Sequence, residues 1–188
     1  MYCQVLAKSG LHATSLHIGQ IAGGPNGSWA TTDWFPIVVK SSVALGVLPE
    51  AYGFVSWMRE ECVAGAILDV AFAKEAPPPA LNLVNPRSAP WVDVIRSIRD
   101  CVIKEKGLTS DALPVVPFAD WFALLEKNAG GASKDDLVNI PGLKLLEFFR
   151  AMALGDQVTR QTRPGITEPI GEAEAESWVQ YWISKGSF

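Results

Sequence analysis

Between Ala13 and Ile21, apolar Leu16 and Ile18 alternate with polar Ser15 and His17. That period of two predicts a short strand, and the segment Gly23-Gly24-Pro25-Asn26-Gly27 predicts that it runs into a loop. The rhythm then changes. Ile37, Val38, Ser41, Ala44 and Leu45 share one helical face, with Asp33 as a candidate cap, Pro36 suited to the first turn and Gly46 as a stop. Phe54 to Trp57 reads as another short strand. After it, Cys62, Val63, Ala66, Ile67, Val70 and Ala71 recur at helical spacing and define a second amphipathic helix, ended by Pro77-Pro78-Pro79.

The alternation of strand and helix continues downstream. Leu81 to Asn85 has strand composition, and Trp91, Val94, Ile95, Ile98, Cys101 and Val102 mark the helix that follows. Val115-Val116 predicts a further strand, and helices are expected over Phe118 to Lys127, Pro141 to Ala153 and Glu172 to Lys185. Gly155 to Gly171, rich in Thr, Gly and Pro, reads as a long surface loop. Val5 to Gly10 reads as the last turn of a helix, as if the chain began inside an element. The pattern is therefore α/β, with few short parallel strands and a mostly helical C-terminal region. No repeat of solenoid period occurs.

Composition narrows the functional classes. With 188 residues, 48% of them hydrophobic and 19% charged, the chain can bury a core, and one domain over 1–188 is the default. A net charge of −4 with the basic residues dispersed gives no stripe for a nucleic acid. Cys3, Cys62 and Cys101 stand apart among Val, Leu and Ile, which suits buried thiols in a reducing compartment. Two histidines and no close cysteine pair give no support to a metal site. No stretch approaches the ~20 apolar residues that span a bilayer, and the first ten residues lack a secretory core, so a soluble, cytoplasmic location is expected.

Local motifs give little chemistry by themselves. The glycines between Gly19 and Gly27 do not have the G-x-G-x-x-G spacing, and Ser28 to Trp34 does not begin an apolar helix, so a structural or substrate-side loop is favoured over a phosphate site. Glu60 and Glu61 fit the dipole at a helix start better than they fit a catalytic cluster with Asp33 and Asp69. His12 and His17 have no nucleophile elbow near them. Tyr2, Tyr52 and Tyr181 are each read as lacking a lysine partner four residues on, so no Tyr-x-x-x-Lys dyad is expected in this chain. Trp34-Phe35, Trp57 and Trp91 suit either the wall of an apolar pocket or the closing of a core.

Several strings, taken in order, resemble one family. Leu16-His17-Ile18-Gly19-Gln20-Ile21-Ala22-Gly23 is similar to the R-I-G-Q-I-x-G strand and loop of the reductase domains that end adenylation–carrier–reductase enzymes, the fungal aminoadipate and aryl acid reductases among them. Trp34-Phe35-Pro36 with Lys40-Ser41-Ser42 resembles their next helix, and Leu83-Val84-Asn85-Pro86-Arg87 with Trp91 resembles their V-N-P-R…W segment. Trp178-Val179-Gln180-Tyr181-Trp182 and Gly186 look like their ending. The sequence departs from the pattern at His17, where the family has Arg, and at Arg59 and Glu61, which replace the Pro and Asp of W-x-P-x-D.

The resemblance implies an extended short-chain dehydrogenase-like fold, of which this chain is the C-terminal, substrate-side part. An N-terminal Rossmann part would bind NADPH and a Tyr-x-x-x-Lys pair would deliver the proton. The matched region starts after both, so no catalytic residue is assigned and tight NADPH binding by this chain is not expected. The resemblance places Gln20, Ile21, Ala22, Gly23 and Gly24 beside the cofactor, and Trp34, Phe35 and Trp57 at the substrate. It implies an acyl thioester on a carrier protein as the partner, released as aldehyde or alcohol. The alternatives are an inactive truncated product and a stand-alone binding module. Strands apolar on more than one face also lead us to expect an uncovered apolar surface beside Ile18 and Val84, which promotes self-association.

Overall fold

The computed structural model describes residues 13–162 and 172–186. The expected helix end at Val5 to Gly10, together with Tyr2, Cys3, His12 and residues 163–171, lies outside them. Six strands alternate with helices in chain order: β1 (Ser15–Ile18), α1 (Trp34–Leu45), β2 (Leu48–Glu50), β3 (Phe54–Val55), α2 (Glu60–Ala71), β4 (Ala80–Leu83), β5 (Ala89–Pro90), α3 (Trp91–Lys106), β6 (Val115–Pro117), α4 (Phe118–Lys127), α5 (Lys134–Asn139), a 3-10 turn (Pro141–Leu145), α6 (Leu146–Thr162) and α7 (Glu172–Ser184). They fall into two compact units: residues up to Pro25 with Ser56–Pro86, and Asn26–Val55 with Arg87–Phe188.

The first unit is a parallel pair joined through α2. β1 and β4 run in register from Ser15 opposite Ala80 to Ile18 opposite Leu83. Ser15 N–H donates to Pro79 C=O and Gly19 N–H to Leu83 C=O, so the pairing extends past both strand ends. Beyond β1 the chain changes partner: Met58 N–H donates to Gln20 C=O at 3.0 Å and Ala22 N–H to Met58 C=O at 2.8 Å. The expected amphipathic face of α2 does not become a core. Of Cys62, Val63, Ala66, Ile67, Val70 and Ala71, only Val63 is buried, and Cys62 is exposed rather than a buried thiol. The helix forms here because its residues permit it; its apolar spacing finds little to pack against among the unit's described residues.

The second unit holds the main core. Val38 of α1 packs with Phe118, Trp121, Phe122 and Leu125 of α4 and with Phe149 and Ala153 of α6. Two serines lie fully buried in this apolar setting, which requires that their hydroxyls be paired. Trp121 Nε1–H donates to Ser42 Oγ and Gly142 N–H to Ser41 Oγ, both at 2.8 Å, tying α1 to α4 and to the 3-10 turn. A second cluster is aromatic: Phe35 meets Trp29, Trp34, Trp91 and Trp182 at ring-centroid distances of 5.4, 5.7, 5.7 and 6.3 Å.

Three local readings need correction. Phe54 to Trp57 is a strand only over Phe54–Val55, and it pairs antiparallel with β5, which the periodicity did not reveal. β2, paired parallel to β6, was also hidden because Leu48–Glu50 is too short to show alternation. The surface-loop reading of Gly155 to Gly171 fails at its start, since α6 continues through Gly155 to Thr162. Asp156, only 9% exposed, explains the continuation: its Oδ1 accepts the backbone N–H of Tyr52, one helical step inward from Phe149 and Ala153. A polar residue on the inward face had hidden the period.

α5 was not foreseen either, yet it carries a capping box. Ser133 Oγ accepts the Asp136 N–H at 3.1 Å, and Asp136 Oδ2 accepts the Ser133 N–H at 2.8 Å. The bonds from the Ser133 side chain, then from its backbone, hold the Asp136 carboxyl below its ordinary range. A depressed carboxylate stabilises the fold above its unfolded pKa, and the contribution is lost as pH falls through the lowered folded value. Ser133→Ala is therefore expected to speed amide exchange at Leu137 and Ile140 at neutral pH. The wild-type amides should approach the same rate only in acid.

Candidate functional site

The strip from Gln20 to Gly24 is fixed by backbone bonds before any side chain acts. Gln20 C=O and the Ala22 N–H bracket Met58, and Gly23 C=O accepts the Glu60 N–H at 3.2 Å, so the strip lies along the entry to α2. Gly23 has φ +51°, a left-handed conformation that costs a side-chain-bearing residue energy, and this is what bends the strip away from the strand. Ala22, Gly23 and Gly24 are buried, while Ile21 is exposed. The Gln20 amide is half-buried, and its Nε2 donates to Ile21 C=O at 2.9 Å.

Trp57 belongs to the same unit and is 6% exposed. Its C=O accepts the side-chain amide of Asn85 at 3.1 Å, while Asn85 N–H donates to Ser56 C=O, so the Asn of the V-N-P-R string clamps the Trp57 segment to the end of β4. Trp34 and Phe35 belong to the other unit, at the start of α1. Asp33 is the N-cap residue, but its side chain makes no cap bond; its Oδ2 accepts Trp29 Nε1–H at 2.9 Å instead. Trp34 is half-buried, stacked 6.0 Å from Trp91 and tilted against Phe148 at 5.9 Å. Phe35 is fully buried and presents no surface.

The displaced ionisations fall elsewhere, on the surface of the second unit. A hydrogen bond and then the charge of Glu176 raise Lys104, and bonds to Glu126 and Glu147 raise Arg150. A bond from Thr109 lowers Asp111. Glu60 and Glu61 lie in the first turn of α2 as expected, with Glu61 3.2 Å from Arg59, and His17 is exposed on β1. No group of three or more metal-ligating side chains occurs among the described residues, and none of their helices is long and apolar enough to cross a membrane.

The reading of Tyr181 needs correction. Tyr181 has Lys185 four residues on, in the C-terminal turns of α7 and just beyond, so a Tyr-x-x-x-Lys string is present after all. Lys185 Nζ lies 5.4 Å from the centroid of the Tyr181 ring, a cation–π contact over the ring. This string lies on the last helix, far along the chain from the strip at Gln20 to Gly24, and the cation contacts the ring rather than a shared substrate position.

No protein-family model matches the sequence. Two reductases of Serpula lacrymans do. The adenylate-forming reductases Nps9 and Nps11 are 46% and 45% identical to it over 209 and 208 residues, in each case 98% of this chain. The chain is a homologue of adenylate-forming reductases. It spans 19% of the length of each of those two homologues, about a fifth. The fold agrees: the terminal R domain of the myxalamid biosynthetic pathway superposes with a TM-score of 0.70 at 21% identity, covering 97% of this chain and 46% of that one. A thiolation-reductase di-domain from an archaeal non-ribosomal peptide synthetase gives 0.59 at 16%, covering 98% and 39%. The expected α/β reductase fold is thus the one observed in this adenylate-forming reductase homologue.

Proposed function

We propose that this chain is the substrate-side portion of an NADPH-dependent reductase domain that releases a carrier-bound acyl thioester as an aldehyde or alcohol, acting in the cytoplasm. The observation that supports it most is the coincidence of two matches along nearly the whole chain, one to adenylate-forming reductases in sequence and one to terminal reductase domains in fold. Both units then belong to one partial domain, 1–188, whose Rossmann part lies outside this sequence.

The strip Gln20, Ile21, Ala22, Gly23 and Gly24 is read as the side that meets the nicotinamide: half-buried Gln20 and exposed Ile21 are the positions that reach its surface, over buried Ala22, Gly23 and Gly24. A bound NADPH would supply hydride to the thioester carbonyl carbon, and cleavage of the C–S bond would release the aldehyde and the carrier sulfur as thiolate. Trp57 holds the strip's neighbouring segment in place through Asn85. Trp34 offers the acyl group a half-buried ring, and Phe35 supports that ring from the core.

Calorimetric titration of the isolated chain with NADPH is expected to show affinity weaker than micromolar, because no strand–Gly loop–helix unit with pyrophosphate-binding spacing occurs in the sequence. Joined to the upstream reductase segment of the 46%-identical homologue, the chain is expected to support NADPH oxidation with a carrier-bound thioester. Micromolar binding by the chain alone, or a joined protein that binds NADPH and leaves thioesters untouched, would overturn the assignment.

A further inference from the structure

The turn from Gly23 to Gly27 holds one peptide whose chemistry the reductase reading leaves unused. Of Asn26, Asn82, Asn85, Asn128 and Asn139, Asn26 alone precedes a glycine. An asparagine loses its amide when the nitrogen of the following peptide attacks the side-chain carbonyl carbon, and glycine obstructs that approach least because it has no Cβ. The others are poorly placed for it. Asn85 precedes Pro86, which has no N–H to lose, and Asn139 precedes β-branched Ile140. Asn82 sits inside β4, and the Asn128 amide donates to Leu124 C=O at 2.8 Å.

The fold leaves the Asn26–Gly27 pair ready to react. Asn26 is exposed, so water and hydroxide reach its side chain. Ser28 N–H donates to Asn26 Oδ1 at 3.1 Å, which closes a ring containing the Gly27 peptide and folds the side chain back over it. The same N–H faces the oxygen on which negative charge collects during the attack, and a donor aimed at developing charge lowers the barrier. The attacking nitrogen is uncommitted as well: no acceptor among the described residues takes the Gly27 N–H.

On its far side Gly27 has no room. It is buried, and a Cβ built on it would fall against the carbonyl oxygen and Oγ of Ser177 on α7. Two residues on, Trp29 packs edge-on against Trp178 at 5.0 Å and lies 5.9 Å from Trp182. The stretch from Gly27 to Trp29 is therefore the seat of α7, and its backbone length is fixed by that contact. We infer that Asn26 is a self-modification site whose isoaspartyl product unseats α7. Gly27 N bonds to Asn26 Cγ, the Cγ–Nδ2 bond breaks and ammonia leaves, giving a cyclic imide. Water then opens the imide at either carbonyl. Opening at Cγ gives an aspartate with the main chain unchanged. Opening at the backbone carbonyl gives isoaspartate, whose main chain runs through Cβ and Cγ and is one carbon longer immediately before Gly27. Each product gains a negative charge, and only the second lengthens the chain at the contact with Ser177.

The test ages the full chain at mildly alkaline pH and body temperature. Isoaspartate is mapped by enzymatic methyl labelling and peptide mass spectrometry, and urea unfolding is followed by tryptophan fluorescence. Asn26 is expected to be lost severalfold faster than Asn128, and the aged chain to unfold at a lower urea concentration than the fresh one. Asn26→Gln should abolish both changes, since its longer side chain would have to close a larger, slower ring. Unaged Asn26→Asp carries the added charge without the added carbon, and should keep the wild-type midpoint. An Asn26 that survives ageing, or is lost no faster than Asn128, overturns the site. A chain rich in isoaspartate at position 26 with an unchanged urea midpoint overturns the link to α7. An equal loss of stability in unaged Asn26→Asp overturns that link too, because charge would then be the cause.

Discussion

Gly27→Ala is expected to destabilise the second unit by about 3 kcal/mol or more, read as a lowered urea midpoint with unchanged slope. Two costs combine at this residue. Its φ of +76° is left-handed, worth about 1–2 kcal/mol against a residue with a Cβ. The Cβ would also fall inside the carbonyl oxygen and Oγ of Ser177 and 2.7 Å from the carbonyl carbon, so α7 would have to move. Overpacking of this kind costs about 1–3 kcal/mol. The displacement cannot be local, because Trp29, two residues on, packs against Trp178 and Trp182 of the same helix at 5.0 and 5.9 Å. Gly131→Ala, at φ +81° with open space around its Cβ, isolates the backbone cost alone and should lose clearly less. Equal losses in the two variants would show that the close approach to Ser177 contributes nothing.

Phe35→Ala is expected to cost about 3–5 kcal/mol, the range for emptying a fully buried aromatic site. The ring is surrounded by Trp29, Trp34, Trp91 and Trp182, so its loss opens a cavity that four other rings line and leaves three aromatic pairs without their edge-on partner. Thermal unfolding followed by tryptophan fluorescence reads both the loss of stability and the changed surroundings of the indoles. Trp34→Ala separates packing from substrate contact at the neighbouring position. Half-buried Trp34 should cost less stability than Phe35, and in the joined reductase it should raise KM for the thioester with little change in kcat. A Trp34 variant with unaltered KM would leave both residues as core alone.

Part of this architecture was legible in the chain. α4 was bounded at Phe118 and Lys127 by its own periodicity, and the helix from Trp91 and the last helix from Glu172 were placed within a residue or two. These elements announce themselves because their apolar spacing faces a single buried side. Where the buried side holds a polar atom, the signal fails: Asp156 hid the last two turns of α6, and Ser41 and Ser42 sit in the core only because Gly142 and Trp121 offer them hydrogen bonds from far along the chain. Two- and three-residue strands such as β2, β3 and β5 are too short to show a period.

The candidate site divides in the same way. Its residues were named from strings such as Gly19-Gln20-Ile21-Ala22-Gly23 and Trp34-Phe35-Pro36, because residue order along a strand and loop is carried by the sequence itself. Which of them present a surface was not. Phe35 and Trp34 are adjacent aromatics of similar character, and only the packing of Trp29, Trp91 and Trp182 around one ring makes it core and leaves its neighbour half in solvent. For α2 the sequence determined a helix and an apolar character on nearly every side. The tertiary structure decided that, of its apolar residues, Val63 alone would be buried and that Leu68 and Phe72 would face water, because burial is a property of what lies opposite a side chain, and for that face none of the unit's described residues does.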